Sequence, residues 1–236
     1  YSGTGVSDGM FNPEVAGPGD HVITYTYTDE NTCVNFCTFT IHVYNLFEAG
    51  IAEDQTICYD SVPEALTSTV TGGAENYTYQ WWTWDGAPDV EIEGATEATY
   101  QPPALQVTTS YVLQVFDDCG MIITEPVTIT VYEELMVAIA ADQTICYDSI
   151  PALLTSEVSG GAGNYAYQWW TYDDGPLAPI EGADEATYQP GALQETTSYV
   201  LQFFDDCGMI ISDPVTITVY DQMMVTIAAD QTICYD

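Results

Sequence analysis

The seven residues Asp-Gln-Thr-Ile-Cys-Tyr-Asp at 54–60 occur again at 142–148 and at 230–236, each time 88 residues further on. The sequence between these motifs repeats as well, because residues 49–132 align with 137–220 without a gap and match at most positions. A gapless period this long exceeds the usual solenoid periods, so it indicates tandem domains with one domain per repeat. Because the third copy stops at Asp236, seven residues into it from the start of its motif, we expect the chain to be a window from a longer array.

Alternating apolar and polar residues predict short β-strands along the whole chain, with turn residues between them. About seven strands per repeat, separated by turn signals every 8–12 residues or so, are typical of an immunoglobulin-like sandwich. We therefore predict an all-β fold of tandem immunoglobulin-like β-sandwich domains arranged as an extended rod. The predicted domains are the C-terminal part of one sandwich at 1–45, two repeats at 46–133 and 134–220, and the start of a third repeat at 221–236.

The charge of the chain restricts its partners. It has 36 acidic residues and neither lysine nor arginine, which gives a formal net charge of −36 at pH 7. Nucleic acids and anionic lipid surfaces are bound through cationic side chains, so we exclude nucleic acid as a partner. We also expect no membrane insertion, because no apolar run is long enough to span a bilayer. The 47% of hydrophobic residues distinguishes the chain from disordered acidic segments and predicts a folded core.

The seven cysteines follow the same period, and the two cysteines within each full repeat are 61 residues apart. This spacing does not fit a zinc site, which uses paired C-x-x-C elements. We predict one disulfide per repeat, formed in an oxidising compartment, with buried free thiols as the alternative. The predicted pairs are Cys58–Cys119, Cys146–Cys207 and Cys33–Cys37, while Cys234 would pair with a residue beyond 236.

Residue patterns that would indicate catalysis are missing from the sequence. His21 and His42 lie in alternating, strand-like segments, and neither accompanies a nucleophile in a motif such as G-x-S-x-G. Near-identical tandem copies favour structural reuse over an active site. We predict that the chain is not an enzyme.

Acidic side chains supply the hard oxygen ligands that Ca²⁺ requires. The chain has no EF-hand or nonapeptide loop signature, so this indication rests on composition rather than on spacing. A solvated acidic surface without any cofactor is the leading interpretation, and bound calcium is the alternative. The candidate calcium ligands are Asp54, Asp117, Asp118, Asp142, Asp205 and Asp206.

Tryptophans concentrate in the most aromatic predicted strand, Tyr77–Trp84. Our interpretation places Trp82 on one face of this strand and Trp81 and Trp84 on the other. One tryptophan is expected to pack in the sandwich core, as in immunoglobulin domains. An outward-facing one would cover the sheet or contact carbohydrate or a neighbouring chain. The candidate ligand contacts are Trp81, Trp84 and Trp169.

Three stretches of the chain resemble a known family. They are GTGVSDGMFNPEVAGPGDHVITYTYTDENTC at 3–33, QTICYDSVPEALTSTVTGGAENYTYQWW at 55–82 and GATEATYQPPALQVTTSYVL at 94–113. They are similar to modules of the giant SprB-type cell-surface adhesins of gliding bacteria. The resemblance implies export by the type IX secretion system, an extracellular location on the cell surface and a role in adhesion or gliding motility. It implies three kinds of partner: other domains of the same long chain, the secretion or gliding machinery, and surface polysaccharide.

The same resemblance suggests a modification. Such bacteria use D-[ST]-hydrophobic tripeptides as acceptors for O-glycosylation, and Asp60-Ser61-Val62 and Asp148-Ser149-Ile150 match that pattern at equivalent repeat positions. Ser61 and Ser149 are therefore candidate sugar-bearing residues. An unmodified turn is the alternative.

Three functional hypotheses follow. The leading one is a structural stalk of a secreted bacterial cell-surface adhesin involved in surface attachment or gliding motility. The second is a self-assembling extracellular filament whose repeats contact one another laterally. The third is a carbohydrate-binding module of an exported enzyme.

Overall fold

A computed structural model describes residues 1–86, 90–172 and 177–233, and these residues are mostly in β-strands. The chain divides into two compact units. One comprises Tyr1–Ile57 and Ser61–Val131, and the other comprises Cys58–Asp60 and Tyr132–Asp236. Each unit contains one copy of the same sandwich.

The first unit begins with a small segment before its sandwich. Its antiparallel hairpin aligns Gly19 with Val43 and Thr28 with Val34. One short helix precedes the hairpin, and Asn12 caps its N-terminus. The side-chain oxygen of Asn12 accepts a hydrogen bond from the Glu14 backbone N–H at 2.9 Å. The elements are β1 (Val6–Ser7), β2 (Met10–Phe11), α1 (Pro13–Ala16), β3 (Gly19–Thr28) and β4 (Val34–Val43).

The sandwich of the first unit, here called copy 1, follows. Its strands are β5 (Glu48–Ile51), β6 (Gln55–Ile57), β7 (Leu66–Thr71), β8 (Thr78–Trp84), β9 (Val90–Glu91), β10 (Thr99–Tyr100), β11 (Thr109–Asp117), β12 (Gly120–Ile123) and β13 (Val127–Val131).

The second unit contains copy 2, which repeats these strands 88 residues later with the same bounds. They are β14 (Met136–Ile139), β15 (Gln143–Ile145), β16 (Leu154–Ser159), β17 (Ala166–Tyr172), β18 (Ala178–Pro179), β19 (Thr187–Tyr188), β20 (Thr197–Asp205), β21 (Gly208–Ile211) and β22 (Val215–Val219).

Both copies have the strand order of an immunoglobulin-like sandwich. One sheet of copy 1 runs β10-β7-β5, and the other runs β6-β13-β11-β8-β9 with β12 also paired to β11. Strand β6 pairs in parallel with β13, whereas the other pairs are antiparallel. In immunoglobulin terms the sheets are ABE and A′GFCC′. The all-β, tandem immunoglobulin-like fold predicted from the sequence is confirmed.

A tryptophan forms the centre of each core. Trp81 on β8 is 0% exposed, and it lies in one cluster with Leu66 of β7 and Leu113 of β11. Its indole N–H donates to the Glu97 carbonyl at 3.0 Å, which satisfies its one polar group. In antibody domains the strands that correspond to β7 and β11 are joined by an inter-sheet disulfide beside the tryptophan. Here two leucines replace that disulfide, and copy 2 has the same arrangement with Leu154, Trp169 and Leu201.

The double glycine after β7 is required by close packing. Gly72 has a φ of +73°, and a Cβ there would lie 1.8 Å from the Leu46 carbonyl oxygen. Gly73 has a φ of +65°, and its Cβ would lie 2.0 Å from a carboxylate oxygen of Asp117. Gly160 is the equivalent of Gly72 in copy 2, and a Cβ there would lie 1.9 Å from the Glu134 carbonyl oxygen. Any side chain would therefore displace the segment that enters each sandwich.

Candidate functional site

One disulfide is present among the described residues, and it joins the two copies of the repeat. Cys58 follows β6 of copy 1, and Cys207 lies in the turn between β20 and β21 of copy 2. Their Cα atoms are 5.4 Å apart although the residues are 149 positions apart in sequence. Cys58–Asp60 belong to the second compact unit, as Cys207 does.

The predicted pairings within each repeat, Cys58–Cys119 and Cys146–Cys207, are therefore wrong. Cys119 and Cys146 are free and exposed. The reason is the length of β11, because Cys58 lies level with its beginning whereas Cys119 follows its end. A strand spanning Thr109–Asp117 is about 26 Å long, and a disulfide holds its Cα atoms within about 7 Å. Copy 2 separates Cys146 from Cys207 in the same way.

The predicted Cys33–Cys37 bond is wrong as well. Both thiols are free and exposed. Cys37 lies within β4 opposite Tyr25, and Cys33 directly precedes that strand. Four residues of extended chain span about 13 Å, which is too far for one disulfide. Cys234 lies outside the described residues.

An aspartate shapes the turn that carries each second cysteine. The Asp205 carboxylate accepts from the backbone N–H groups of Cys207 at 2.7 Å and Gly208 at 3.2 Å. Its other oxygen accepts from Ala162 N–H at 2.6 Å, so one side chain connects this turn to the turn after β16. Asp117 does the same in copy 1, accepting from Cys119 N–H at 2.7 Å. These bonds fix the backbone of the cysteine in each turn.

Within each copy the candidate calcium ligands lie at opposite ends of the sandwich. Asp54 and Asp142 accept from the backbone N–H groups of Thr128 at 2.7 Å and Thr216 at 2.8 Å, near the beginnings of β11 and β20. Asp117 and Asp118, like Asp205 and Asp206, lie at the opposite ends of those strands. In residues 1–86, 90–172 and 177–233 no three His, Cys, Asp or Glu side chains form a group that could hold a metal ion.

The tryptophan assignments require correction. Trp81 and Trp169 are 0% exposed, so they are core residues and cannot contact a ligand. The two-residue period of a strand places Trp82 and Trp84 on the same face, opposite Trp81, and our grouping of Trp81 with Trp84 was wrong. Trp84 is 40% exposed and stays a candidate contact.

Exposed apolar side chains on the outer face of the larger sheet were missed by the sequence reasoning. Direct cross-strand pairs place Met121 beside Phe116, Ile123 beside Gln114 and Trp84 beside Ser110. Every second residue of β11 and of β12 faces outward, and this two-residue alternation is the sequence signal that could have identified the exposed apolar side chains. We call these residues the outer strip; in copy 1 it comprises Trp84, Phe116, Met121 and Ile123, and in copy 2 Tyr172, Phe204, Met209 and Ile211.

The candidate glycosylation residues lie in equivalent turns. Ser61 and Ser149 are half-buried, and their backbones form isolated bridges with Leu105 and Leu193. Each follows an aspartate in the left-handed region, Asp60 with φ 57° or Asp148 with φ 59°. Glycosylation stays a prediction.

The two histidines lie on the hairpin of the first unit. His21 Nε2 is 2.8 Å from the Gly17 carbonyl oxygen, and His42 Nδ1 is 2.5 Å from an Asp20 carboxylate oxygen. These contacts involve the hairpin itself and its preceding loop. The absence of enzymatic activity stays a prediction.

None of the helices among the described residues has the length and apolar character needed to cross a membrane.

A family model described as a domain of unknown function (DUF8696) matches residues 48–133 and again 136–221. No curated protein matches the chain in sequence. Among solved structures, the N-terminal four Ig domains of Dscam1 isoform 6.9 align over 71% of this chain at 13% identity, with a TM-score of 0.39. The chain spans 43% of that structure's length.

A second solved structure comprises three N-terminal domains of the Highly Immunogenic Outer Capsid protein (Hoc) of bacteriophage RB49. It aligns over 87% of this chain and 80% of its own length at 13% identity, with a TM-score of 0.44.

Proposed function

The chain belongs to the family described as a domain of unknown function (DUF8696), and we propose that it is part of the structural stalk of a secreted bacterial cell-surface adhesin. In this proposal it serves surface attachment or gliding motility. Its tandem immunoglobulin-like domains with a disulfide are consistent with a structural or adhesion-type extracellular domain.

The observation that best supports a load-bearing role is the bond between copies. Cys58 lies in the first family match and Cys207 in the second. With this bond closed, a force applied to the two ends of the chain passes from Cys58 directly to Cys207. The residues between them, which include strands β7 to β20, cannot be extended by that force. Such a link prevents the force from unravelling residues 59–206, which is useful in a stalk.

Charge supports a stalk exposed to solvent. With a formal net charge of −36 at pH 7 the chain repels further copies of itself and stays hydrated. We propose other domains of the same polypeptide, the export or gliding machinery and surface polysaccharide as its partners. Nucleic acid and membrane insertion are left out of the proposal, because no cationic side chain is present in the sequence.

The outer strip favours a second candidate function, a filament whose chains contact one another laterally. Phe116 is 38% exposed and Met121 50% exposed, and their equivalents in copy 2 are exposed as well. Sedimentation at low and at high salt tests this idea, because salt screens the repulsion between chains. Reversible association at high salt that is lost in a Phe116→Ser, Phe204→Ser variant would favour the filament.

The stalk proposal is tested in the producing cell by replacing residues 48–221. One strain deletes them in frame, and a second replaces them with an unrelated pair of immunoglobulin-like domains. We expect deletion to reduce surface attachment or gliding and the unrelated pair to restore it, because a stalk supplies length rather than recognition. Failure of the replacement at normal surface abundance would indicate a binding role, and detection of the protein only inside the cell would contradict the proposal.

Calcium binding and glycosylation belong to the proposal as secondary features. Calcium titration followed by thermal melting, with and without chelator, tests the first feature. A melting temperature unchanged by chelator would show that the carboxylates form a solvating surface. The intact mass of the protein from its native source tests glycosylation at Ser61 and Ser149, since a mass equal to that of the polypeptide would eliminate it.

A further inference from the structure

The free cysteines Cys119 and Cys146 occupy the repeat positions of the two bonded ones. Cys146 is the equivalent of Cys58 and Cys119 the equivalent of Cys207, each 88 residues away. The bonded pair is half-buried, whereas the free pair is exposed. Each free thiol therefore occupies the position of one partner of the Cys58–Cys207 disulfide, and we call such a position a half-site.

The first half-site has the same backbone whether or not it is bonded. Cys58 and Cys146 both follow a short strand that pairs in parallel with the last strand of their copy. Both precede an aspartate in the left-handed region, with φ 57° at Asp60 and 59° at Asp148. Bond formation at Cys146 therefore requires no rearrangement of its own turn.

The second half-site is equally prepared. Cys119 N–H donates to Asp117 at 2.7 Å, and Cys207 N–H donates to Asp205 at the same distance. The glycines that follow also match, with φ 152° at Gly120 and 150° at Gly208. Partial desolvation and then the carboxylates of Asp117 and Asp118 raise the pKa of the Cys119 thiol above its ordinary value, which lowers its thiolate fraction and slows its exchange with disulfides.

We infer that Cys146 is a half-site for the same disulfide with the copy of this domain that follows it in the same polypeptide. Cys119 is left aside, because residues 1–45, which precede copy 1, are not a further copy of the domain. In this arrangement the cysteine that follows each Asp-Gln-Thr-Ile bonds to the cysteine 149 residues further on, in the turn of the next copy. Two thiols lose two electrons and two protons to a disulfide donor of the oxidising compartment, which is reduced to a dithiol. The bond seen here joins consecutive copies, which is why the occupant is a neighbouring copy rather than a second chain. This inference concerns covalent assembly and holds whether or not the array is an adhesin stalk.

The test adds one copy to the complete chain. Because residues 221–236 begin a third repeat, appending residues 149–220 after Asp236 completes it and places the new turn cysteine at position 295. We expect this protein to keep Cys58–Cys207 and to gain a bond between Cys146 and the new cysteine. A bond between Cys234 and the new cysteine, or a free Cys146, would overturn the inference.

Serine variants are needed to assign these bonds, because the sequence around Cys58, Cys146 and Cys234 is identical. In the extended protein, Cys146→Ser should release one reactive thiol at position 295, whereas Cys234→Ser should release none there. In the present chain, Cys58→Ser should have one more reactive thiol than the parent, located at Cys207. If Cys207 instead bonds to Cys146 in that variant, the half-sites are not specific for a neighbouring copy, and the inference fails. Circular dichroism of each variant verifies that it is folded.

Discussion

The disulfide between the two copies should control how far the chain can be stretched. With Cys58–Cys207 closed, a force applied at Tyr1 and at the C-terminus cannot extend the 149-residue interval between the two cysteines. An extended residue contributes about 3.3–3.6 Å, so opening the bond should add roughly 500 Å of contour length. The comparison is between the parent chain and Cys58→Ser, each pulled by single-molecule force spectroscopy from the same attachment points.

Until a reducing agent is added, the parent chain should extend only through the residues outside the bond, whereas Cys58→Ser should show the full extension without reduction. Cys33→Ser is the matched control, because that thiol is free in the structure and its loss should change nothing. Equal contour lengths in the parent and Cys58→Ser would refute the reasoning, since they would show that the interval is already free to extend. Two separate gains of about 200 Å each on reduction would instead indicate a bond within each repeat.

Three further predictions concern stability. Trp81→Ala should lower the free energy of unfolding of its domain by about 3–5 kcal/mol, because Trp81 is fully buried. The control Trp84→Ala should lower it by about 0.5 kcal/mol or less, and urea unfolding measures both. Asp117→Ala should cost about 2 kcal/mol through its three backbone hydrogen bonds, and Asp118→Ala, an exposed neighbour, should be close to neutral in the same assay. Burial, and to a smaller extent Tyr100, raises the pKa of Tyr111 to about 12. The folded state therefore holds this proton more tightly than the unfolded state, and stability should fall from pH 10 to about 12 by up to roughly 2–3 kcal/mol more in the parent than in Tyr111→Phe.

The core and the strands could be predicted from the sequence because they depend on local patterns. Alternation around Ser110–Phe116 identifies a strand whose inward residues include Leu113. A tryptophan on the neighbouring strand, at Trp81, then indicates the immunoglobulin type of sandwich. The fold follows from residues a few positions apart, and repetition of the pattern in copy 2 adds independent support.

The disulfide could not be predicted from spacing, and the reason lies in the repeat itself. A distance of 61 residues within a copy and one of 149 residues between copies differ by one full period of 88. Both pairings therefore place cysteines at the same repeat positions, and the sequence alone cannot distinguish them. The distinction depends on which end of the sandwich each cysteine occupies. Cys58 lies level with the beginning of β11 and Cys119 lies after its end.

The outer face was misjudged for a smaller reason. Trp81 and Trp84 are three residues apart, so a strand must direct them to opposite faces. Alternation along β11 and β12 could have shown that the outer-strip side chains of these strands face outward, but the pairing of Phe116 with Met121, which joins them into one strip, requires the register of the two strands. The predicted rod arrangement and the domain boundaries stay predictions.

The most direct test of this account is the assignment of the disulfide in the oxidised chain. Free thiols of the parent, Cys58→Ser, Cys207→Ser, Cys119→Ser and Cys146→Ser would be labelled under denaturing conditions and located by mass spectrometry. The account predicts that Cys58→Ser releases Cys207, that Cys207→Ser releases Cys58, and that the other two variants release no partner. Release of Cys119 by Cys58→Ser, together with release of Cys146 by Cys207→Ser, would show a bond within each repeat and would contradict the account.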